Sequence, residues 1–243
     1  MRLQFVLKTA YDRHRKEVLM PALSTAKPYK GVGMEGPVAK WYASLTKKSL
    51  NDFKALAQRI AQQIPPRSSV LEVAPGPGYF AIELAKLGDY RIKGLDISET
   101  FVEIARANAA DANVEIDFRR GNASAMPFRD GKFDFLLCRA AFKNFSDPQG
   151  ALEEMYRVLK PGGQALIIDL RRDASVESIN QAVNEMSVGA VNGIITKLTF
   201  RFMLLKRAYS KTEFEKLISR TKFHEATIRE DLIGLEILLS KAC

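Results

Sequence analysis

Cysteine is scarce in this 243-residue chain, with only Cys138 and Cys243 present. Two thiols exclude a disulfide-stapled scaffold and any zinc cluster built on several cysteines. Histidine is equally rare, limited to His14 and His224, and nothing in the chain has metal-ligand spacing. No stretch approaches the roughly 18 uninterrupted apolar residues of a membrane span. The opening MRLQFVLKTA starts like a leader, but its apolar run stops at Leu7 and is broken by Gln4. No cleavage site follows, so secretion is not expected, the N-x-S triplets at Asn122 and Asn144 carry no weight, and a reduced, cytoplasmic setting is the expectation. What remains suits one globular core: 47% hydrophobic and 27% charged residues, too apolar a mixture for disorder.

The charge is lopsided. Residues 1–60 hold 12 Lys/Arg against 4 Asp/Glu, residues 61–170 hold 13 against 15, and residues 171–243 hold 12 against 9. Most of the formal +9 therefore lies in an N-terminal arm. Such an arm can steer an anionic substrate, touch nucleic acid or rest on acidic lipid; it can equally be a solvated helical face that maintains solubility.

Turn residues at Pro21, Pro28 and the cluster Gly31, Gly33, Gly36 and Pro37 divide the arm, residues 1–50, into short pieces. Leu50 to Ile64 has helical apolar spacing and stops at Pro65-Pro66. Strand and helix then alternate: strand Ser69–Val73, helix Tyr79–Leu87, strand Arg91–Asp96, helix Ser98 to about Ala110, strand Val114–Phe118, strand Phe133–Cys138, helix Asp147–Leu159, strand Gln164–Leu170. This alternation predicts a parallel sheet covered on both faces. Residues 171–210 read as a helical cap, Lys211–Thr221 as a helix capped by Thr212, and about Phe223–Arg229 with Leu235–Leu239 as a closing antiparallel hairpin around Gly234. The expected whole is an α/β, Rossmann-like, seven-stranded, mostly parallel sheet. Its domain runs over 51–243 with a cap at about 171–210, preceded by the 1–50 arm acting as a substrate lid.

Gly76-x-Gly78 lies between the first strand and its helix, where the absence of side chains lets a ligand approach the backbone. Asp96 follows Gly76 by 20 residues at the end of the next strand, where a carboxylate suits two ribose hydroxyls. Gly76-x-Gly78-x-x-Ala81 also satisfies the dinucleotide fingerprint, so an NAD(P) oxidoreductase competes at this point. Against it, Glu72 just before the loop would repel a pyrophosphate and welcome a cationic amino-acid moiety.

These segments resemble a known family. Val70-Leu71-Glu72-Val73-Ala74-Pro75-Gly76-Pro77-Gly78 is similar to the first motif of class I S-adenosylmethionine-dependent methyltransferases, and Gly94-Leu95-Asp96-Ile97-Ser98 to their second. Gly121-Asn122-Ala123-Ser124-Ala125-Met126-Pro127-Phe128 resembles their adenine-contacting loop, and Phe133–Cys138 with Leu159–Gly163 their fourth strand and the loop before the fifth. The likeness covers roughly residues 40–240 and points to the small-molecule, quinone and metabolite type. It departs at Ala74, where a glycine is usual, and at Asn122, where an aspartate is usual.

The resemblance implies S-adenosylmethionine as cofactor and S-adenosylhomocysteine as product. Glu72 would orient the methionine amino group, Gly76 and Gly78 face methionine and ribose, Asp96 hold the ribose hydroxyls, and Ile97 pack on adenine. Asn122 and Ala123 would meet the adenine edge, with the Asn122 carbonyl accepting from the amino group in place of a carboxylate, and Ala74 would line the loop. Arg139 would contact methionine or gate the substrate, and Tyr42 close over the cofactor carboxylate.

Methyl transfer from a sulfonium is an in-line displacement that needs alignment, exclusion of water and a deprotonated nucleophile. General bases are few: His14 with Tyr11 on one face of the arm, and Lys143 in Phe142-Lys143-Asn144, which either meets an anionic substrate group or is a solvated loop lysine. His224 reads as surface, Cys138 as a buried strand residue, and the single tryptophan, Trp41, as pocket wall or core. The stretch 194–205 reads as a lid over an apolar substrate, as a membrane-surface element on account of its lysines and arginines, or as an ordinary helix on the sheet edge. The leading function is methyl transfer to a small acceptor by a monomer or homodimer. The basic arm raises an RNA methyltransferase as alternative, but no Asn/Asp-Pro-Pro-aromatic run and no Pro-Cys nucleophile is present to handle a flipped base. Ala74 and the missing base raise a catalytically inactive cofactor-binding regulator.

Overall fold

The computed structural model describes residues 29–30, 33–185, 205–223 and 225–243. His14, Tyr11 and His224 lie outside these residues, as does nearly all of the 194–205 stretch.

The runs rich in Val, Leu, Ile and Phe form a seven-stranded sheet in the order β3-β2-β1-β4-β5-β7-β6. Its strands are β1 (Ser69–Val73), β2 (Arg91–Asp96), β3 (Asp117–Arg120), β4 (Phe133–Arg139), β5 (Leu159–Leu170), β6 (Glu225–Glu230) and β7 (Gly234–Ser240). The first five pair in parallel, while β7 runs antiparallel between β5 and β6. The expected parallel sheet and closing hairpin are both present. Helices α1 (Gly36–Thr46), α2 (Leu50–Ala61), α3 (Tyr79–Ala85), α4 (Glu99–Asp111), α5 (Pro148–Val158), α6 (Val176–Glu185) and α7 (Lys211–Ile218) accompany it.

Because successive strand residues face opposite sides, the sheet divides the apolar residues into two cores. Leu71, Val73, Leu136, Cys138, Ala165 and Ile167 pack with Leu152 and Met155 of α5 and Phe214 of α7. Val70, Phe135, Leu137 and Leu166 pack on the other side with Phe53 and Ile60 of α2, Phe80 and Leu84 of α3, and Val102 of α4. Ser98 caps α4 by accepting from the Phe101 N–H at 3.0 Å, and Asp147 caps α5 by accepting from the Gly150 N–H at 2.9 Å.

Several boundaries differ from the sequence reading. β3 begins at Asp117 rather than Val114: Val114 and Ile116 pack against the core, but pairing with β2 starts only at Lys93↔Asp117, beside the Lys93–Asp117 ion pair. β5 begins at Leu159 rather than Gln164. Lys160-Pro161-Gly162-Gly163 is an irregularity within the strand, accommodated by Gly162 at φ +74°, and not a loop before it. α7 is capped by Ser210, not Thr212: Ser210 Oγ accepts from the Glu213 N–H, and Glu213 Oε2 accepts from the Ser210 N–H. α3 stops at Ala85, two residues short of the predicted end. No helix among the described residues is long and apolar enough to cross a membrane.

Candidate functional site

The chain reverses its direction of progress across the sheet at β1, which lies between β2 and β4, so the loops after β1 and β4 diverge and leave a crevice above the strand ends. Of the residues singled out by sequence, Ala74, Gly76 and Gly78 follow β1, Asp96 and Ile97 end and follow β2, and Arg139 ends β4, all at this edge.

After Val73 the backbone turns left-handed at Ala74 (φ +56°), Gly76 (φ +53°) and Gly78 (φ +78°) before α3 begins. A side chain at Gly76 would meet no atom within 4 Å, which leaves its backbone bare. At Gly78 a methyl would stand 2.8 Å from Phe118 Cζ and 3.0 Å from Ala105 Cβ, so close packing of α3 against β3 and α4 already demands glycine there. The loop is tied down on both sides: the Ala74 N–H donates to the Leu95 carbonyl at 2.8 Å, and the Gly76 N–H to Asp96 Oδ2 at 3.0 Å.

Glu72 and Asp96 are both almost wholly buried. Glu72 Oε2 accepts from the Ala81 N–H at 3.1 Å, yet burial pushes its carboxyl up to about 8, against the pull of that bond and of Arg139. Asp96 Oδ1 accepts from the Ser98 N–H at 2.9 Å, and burial raises this carboxyl to about 6 in spite of the Ser98 and Gly76 donors. Both Asp96 oxygens thus accept from backbone N–H groups of the two loops that meet here. Ile97, half-buried, continues from this strand end.

Arg139 closes β4 with its guanidinium 4.5 Å from the centre of the Phe53 ring, a cation over an aromatic face. Tyr42 reaches in from α1 with its ring 5.8 Å from Phe101, and burial raises its phenol, with Asp169 and Asp96 adding to the rise and Arg139 opposing it. α1 is fixed over the crevice from its own start. Glu35 accepts from the Glu99 and Thr100 N–H groups at 3.0 Å each, Gly36 N–H donates to Thr100 Oγ1 at 3.0 Å, and Ser98 Oγ donates to the Met34 carbonyl at 2.6 Å.

In the loop after β3, Asn122 Oδ1 accepts from both the N–H and the Oγ of Ser124 at 3.0 Å. Both lone pairs of that carbonyl are thereby used within the loop, and the amide N–H₂ is the end left for a neighbour. The Asn122 carbonyl, expected to accept from adenine, is engaged by Ser124 in this structure. Ala123 beside it is half-buried.

Two expectations need correcting. Lys143 is not a solvated loop lysine: it is 5% exposed, and its ammonium donates to Asp169 Oδ1 at 2.8 Å and to the Ala140 carbonyl at 2.6 Å. The anion it meets is the protein's own. Trp41 is neither core nor pocket wall, being 65% exposed on the outer side of α1.

Sequence reasoning missed Tyr29, Glu35 and Asp169. Tyr29 bridges to Phe145, and burial raises its phenol, with Tyr42, Asp96 and Asp169 adding to the rise. Asp169, a lone acid in the apolar run Ala165-Leu166-Ile167-Ile168-Asp169-Leu170, was the one signal available.

This sheet order, with a glycine turn after β1 and a buried acid closing β2, is the class I methyltransferase architecture. Residues 71–167 match the family model described as a methyltransferase domain. A demethylmenaquinone methyltransferase from Deinococcus radiodurans is 38% identical over 107 residues, 44% of each chain. Another from Chlorobaculum tepidum is 29% identical over 163 residues, 65% of this chain and 66% of that one. The aligned stretch is thus less than half of the first relative and just under two thirds of the second. A solved structure of a putative S-adenosyl-L-methionine-dependent methyltransferase from Methanococcus maripaludis has the same fold, with a TM-score of 0.66 over 90% of this chain and 98% of that one, at 22% identity.

Proposed function

We propose that the chain transfers a methyl group from S-adenosylmethionine to a small acceptor of the quinone type. The observation that carries this reading is the pair Glu72 and Asp96: two buried acids beneath a bare left-handed glycine turn, with no buried cation among the described residues bonded to either one. A ligand with a cationic amino group at one end and a ribose diol in the middle fits both. The two relatives that bear the name demethylmenaquinone methyltransferase support the acceptor class.

When bound, the cofactor supplies a methyl group on a positively charged sulfur, already activated for displacement. Glu72 would receive its amino group and Asp96 its ribose hydroxyls. Gly76, with Ala74 and Gly78 in the same turn, would give it a bare backbone to lie against, and Ile97, Ala123 and the Asn122 amide would border the adenine. Arg139 would hold its carboxylate, and Tyr42 would cover it against water. The Tyr29 and Tyr42 phenols keep their protons at neutral pH, so they would donate hydrogen bonds to an acceptor carbonyl rather than act as bases.

The arm, residues 1–50, and the cap, about 171–210, would enclose the acceptor. They are supported in this by the Lys30 N–H, which donates to the Asn144 carbonyl at 2.7 Å, and by the Arg207 guanidinium, which donates to the Lys30 carbonyl at 3.3 Å.

Calorimetric titration with S-adenosylmethionine, S-adenosylhomocysteine and NADH tests the cofactor. Micromolar binding of the first two, lost in Asp96→Ala and weakened in Asp96→Asn, is expected. Binding of NADH alone, or of nothing, overturns the reading. Transfer of labelled methyl to a naphthoquinone lacking its ring methyl then tests the acceptor class.

A further inference from the structure

Among the described residues only five large apolar side chains are exposed, and three of them share α1: Val38 at 40%, Trp41 at 65% and Leu45 at 46%. Their spacing of three and four residues places them in one stripe, opposite the buried Ala39 and Ala43. Lys40, Lys47 and Lys48 in and just after α1 are exposed, and no Asp or Glu occurs from Gly36 to Asn51. Of the two acids that flank this segment, Glu35 is occupied with the α4 N-terminus and Asp52 lies in the first turn of α2.

We propose that this outer face of α1 docks on an anionic lipid surface, with Trp41 at the headgroup level and the lysines on lipid phosphates. An amphipathic tryptophan set between aliphatic side chains, in a segment that carries exposed lysines and no acid, is what an acyl–headgroup boundary accommodates. A nucleic acid would satisfy the lysines but leave Val38 and Leu45 against phosphate and water. A second copy meeting face to face would bring six lysines together, a like-charge contact. If the quinone reading holds, docking sets the roof of the crevice, which Tyr42 lines from beneath, against the phase that holds a lipid-soluble ring.

Trp41 is the only tryptophan in the chain, so its emission reports this face alone. The full chain is titrated with vesicles of equal phosphatidylglycerol and phosphatidylcholine, and with phosphatidylcholine alone, following emission and co-sedimentation. A blue shift and pelleting with the anionic vesicles only, weakening several-fold in 0.5 M salt, are expected. Lys47→Glu with Lys48→Glu should weaken pelleting by more than about tenfold, and Leu45→Asp by about tenfold, with unchanged circular dichroism and unchanged S-adenosylmethionine binding. Any one of three results overturns the proposal: no shift with anionic vesicles, an equal response to phosphatidylcholine alone, or full binding by the double-charge variant. A shift produced by RNA or by raising protein concentration, without one from vesicles, assigns the face to those partners instead. Methyl-donor binding is measured separately, so its failure and the failure of docking are told apart.

Discussion

Ala74 holds a left-handed backbone (φ +56°) with a β-carbon attached, in a loop where its neighbours in the same conformation are glycines. An L-residue there costs about 1–2 kcal/mol, because its Cβ crowds the following carbonyl. Replacement by glycine removes that strain but gives the unfolded chain more freedom, which takes back about 0.5–1 kcal/mol. Ala74→Gly is therefore expected to stabilise the protein by roughly 0.5–1 kcal/mol, read as a higher urea midpoint at unchanged slope. A lower midpoint would mean that the methyl packs against the core beside it to greater effect than its strain. The sequence showed that Ala74 departs from the usual glycine but could not show which backbone conformation it adopts. The engagement of the Asn122 carbonyl was hidden for a similar reason: only the folded loop brings the Ser124 N–H and hydroxyl onto it.

β4 and β5 are joined beyond their ladder by Asp169. Its carboxylate accepts from the Lys143 ammonium and the Lys143 N–H at 2.8 Å each, and from the Leu170 N–H at 2.8 Å. The clamp fixes the turn after Arg139, including Ala140 at φ +56°, and with it the 144–145 backbone to which Tyr29 and Lys30 pair. Removing one partner of a buried pair costs about 3–5 kcal/mol. Lys143→Met leaves the carboxylate its two backbone donors and should fall at the low end. Asp169→Leu strands an ammonium and two N–H groups and should cost more. Lys143→Met with Asp169→Leu should recover part of the loss, and denaturant melts of the three variants check the order. Elements of this sheet were legible because parallel strands are continuous apolar runs set between turn residues. The clamp was not, since its partners are 26 residues apart and meet only through the β4–β5 pairing. The β3 start was hidden for the same reason, because Val114 is apolar enough for a strand but has no partner on β2.

Over the whole molecule, the two buried acids and the surface pairs respond to pH in opposite directions. Asp117, held down to about 2 by Arg119 and Lys93 despite its partial burial, adds stability above its unfolded value near 3.8 and loses it in acid. Glu72 and Asp96 are raised, to about 8 and about 6, so the folded chain retains protons that the unfolded chain gives up near 4.5 and 3.8. Their contribution is complete below those unfolded values and disappears as pH climbs through 6 and then 8. The protein without ligand should therefore melt several degrees higher at pH 5.5 than at pH 8.5, and Glu72→Gln should flatten that slope. If Glu72 receives the cofactor's amino group as a carboxylate, binding at pH 7 must expel its proton. Affinity should then rise by up to about tenfold per pH unit between 6 and 8 and level off above. Calorimetry at pH 7 in phosphate and in Tris should differ in heat by close to one proton's ionisation, and the difference should vanish in Glu72→Gln. Equal heats in the two buffers for the unaltered protein would mean that Glu72 keeps its proton in the complex and meets the ligand as a neutral donor.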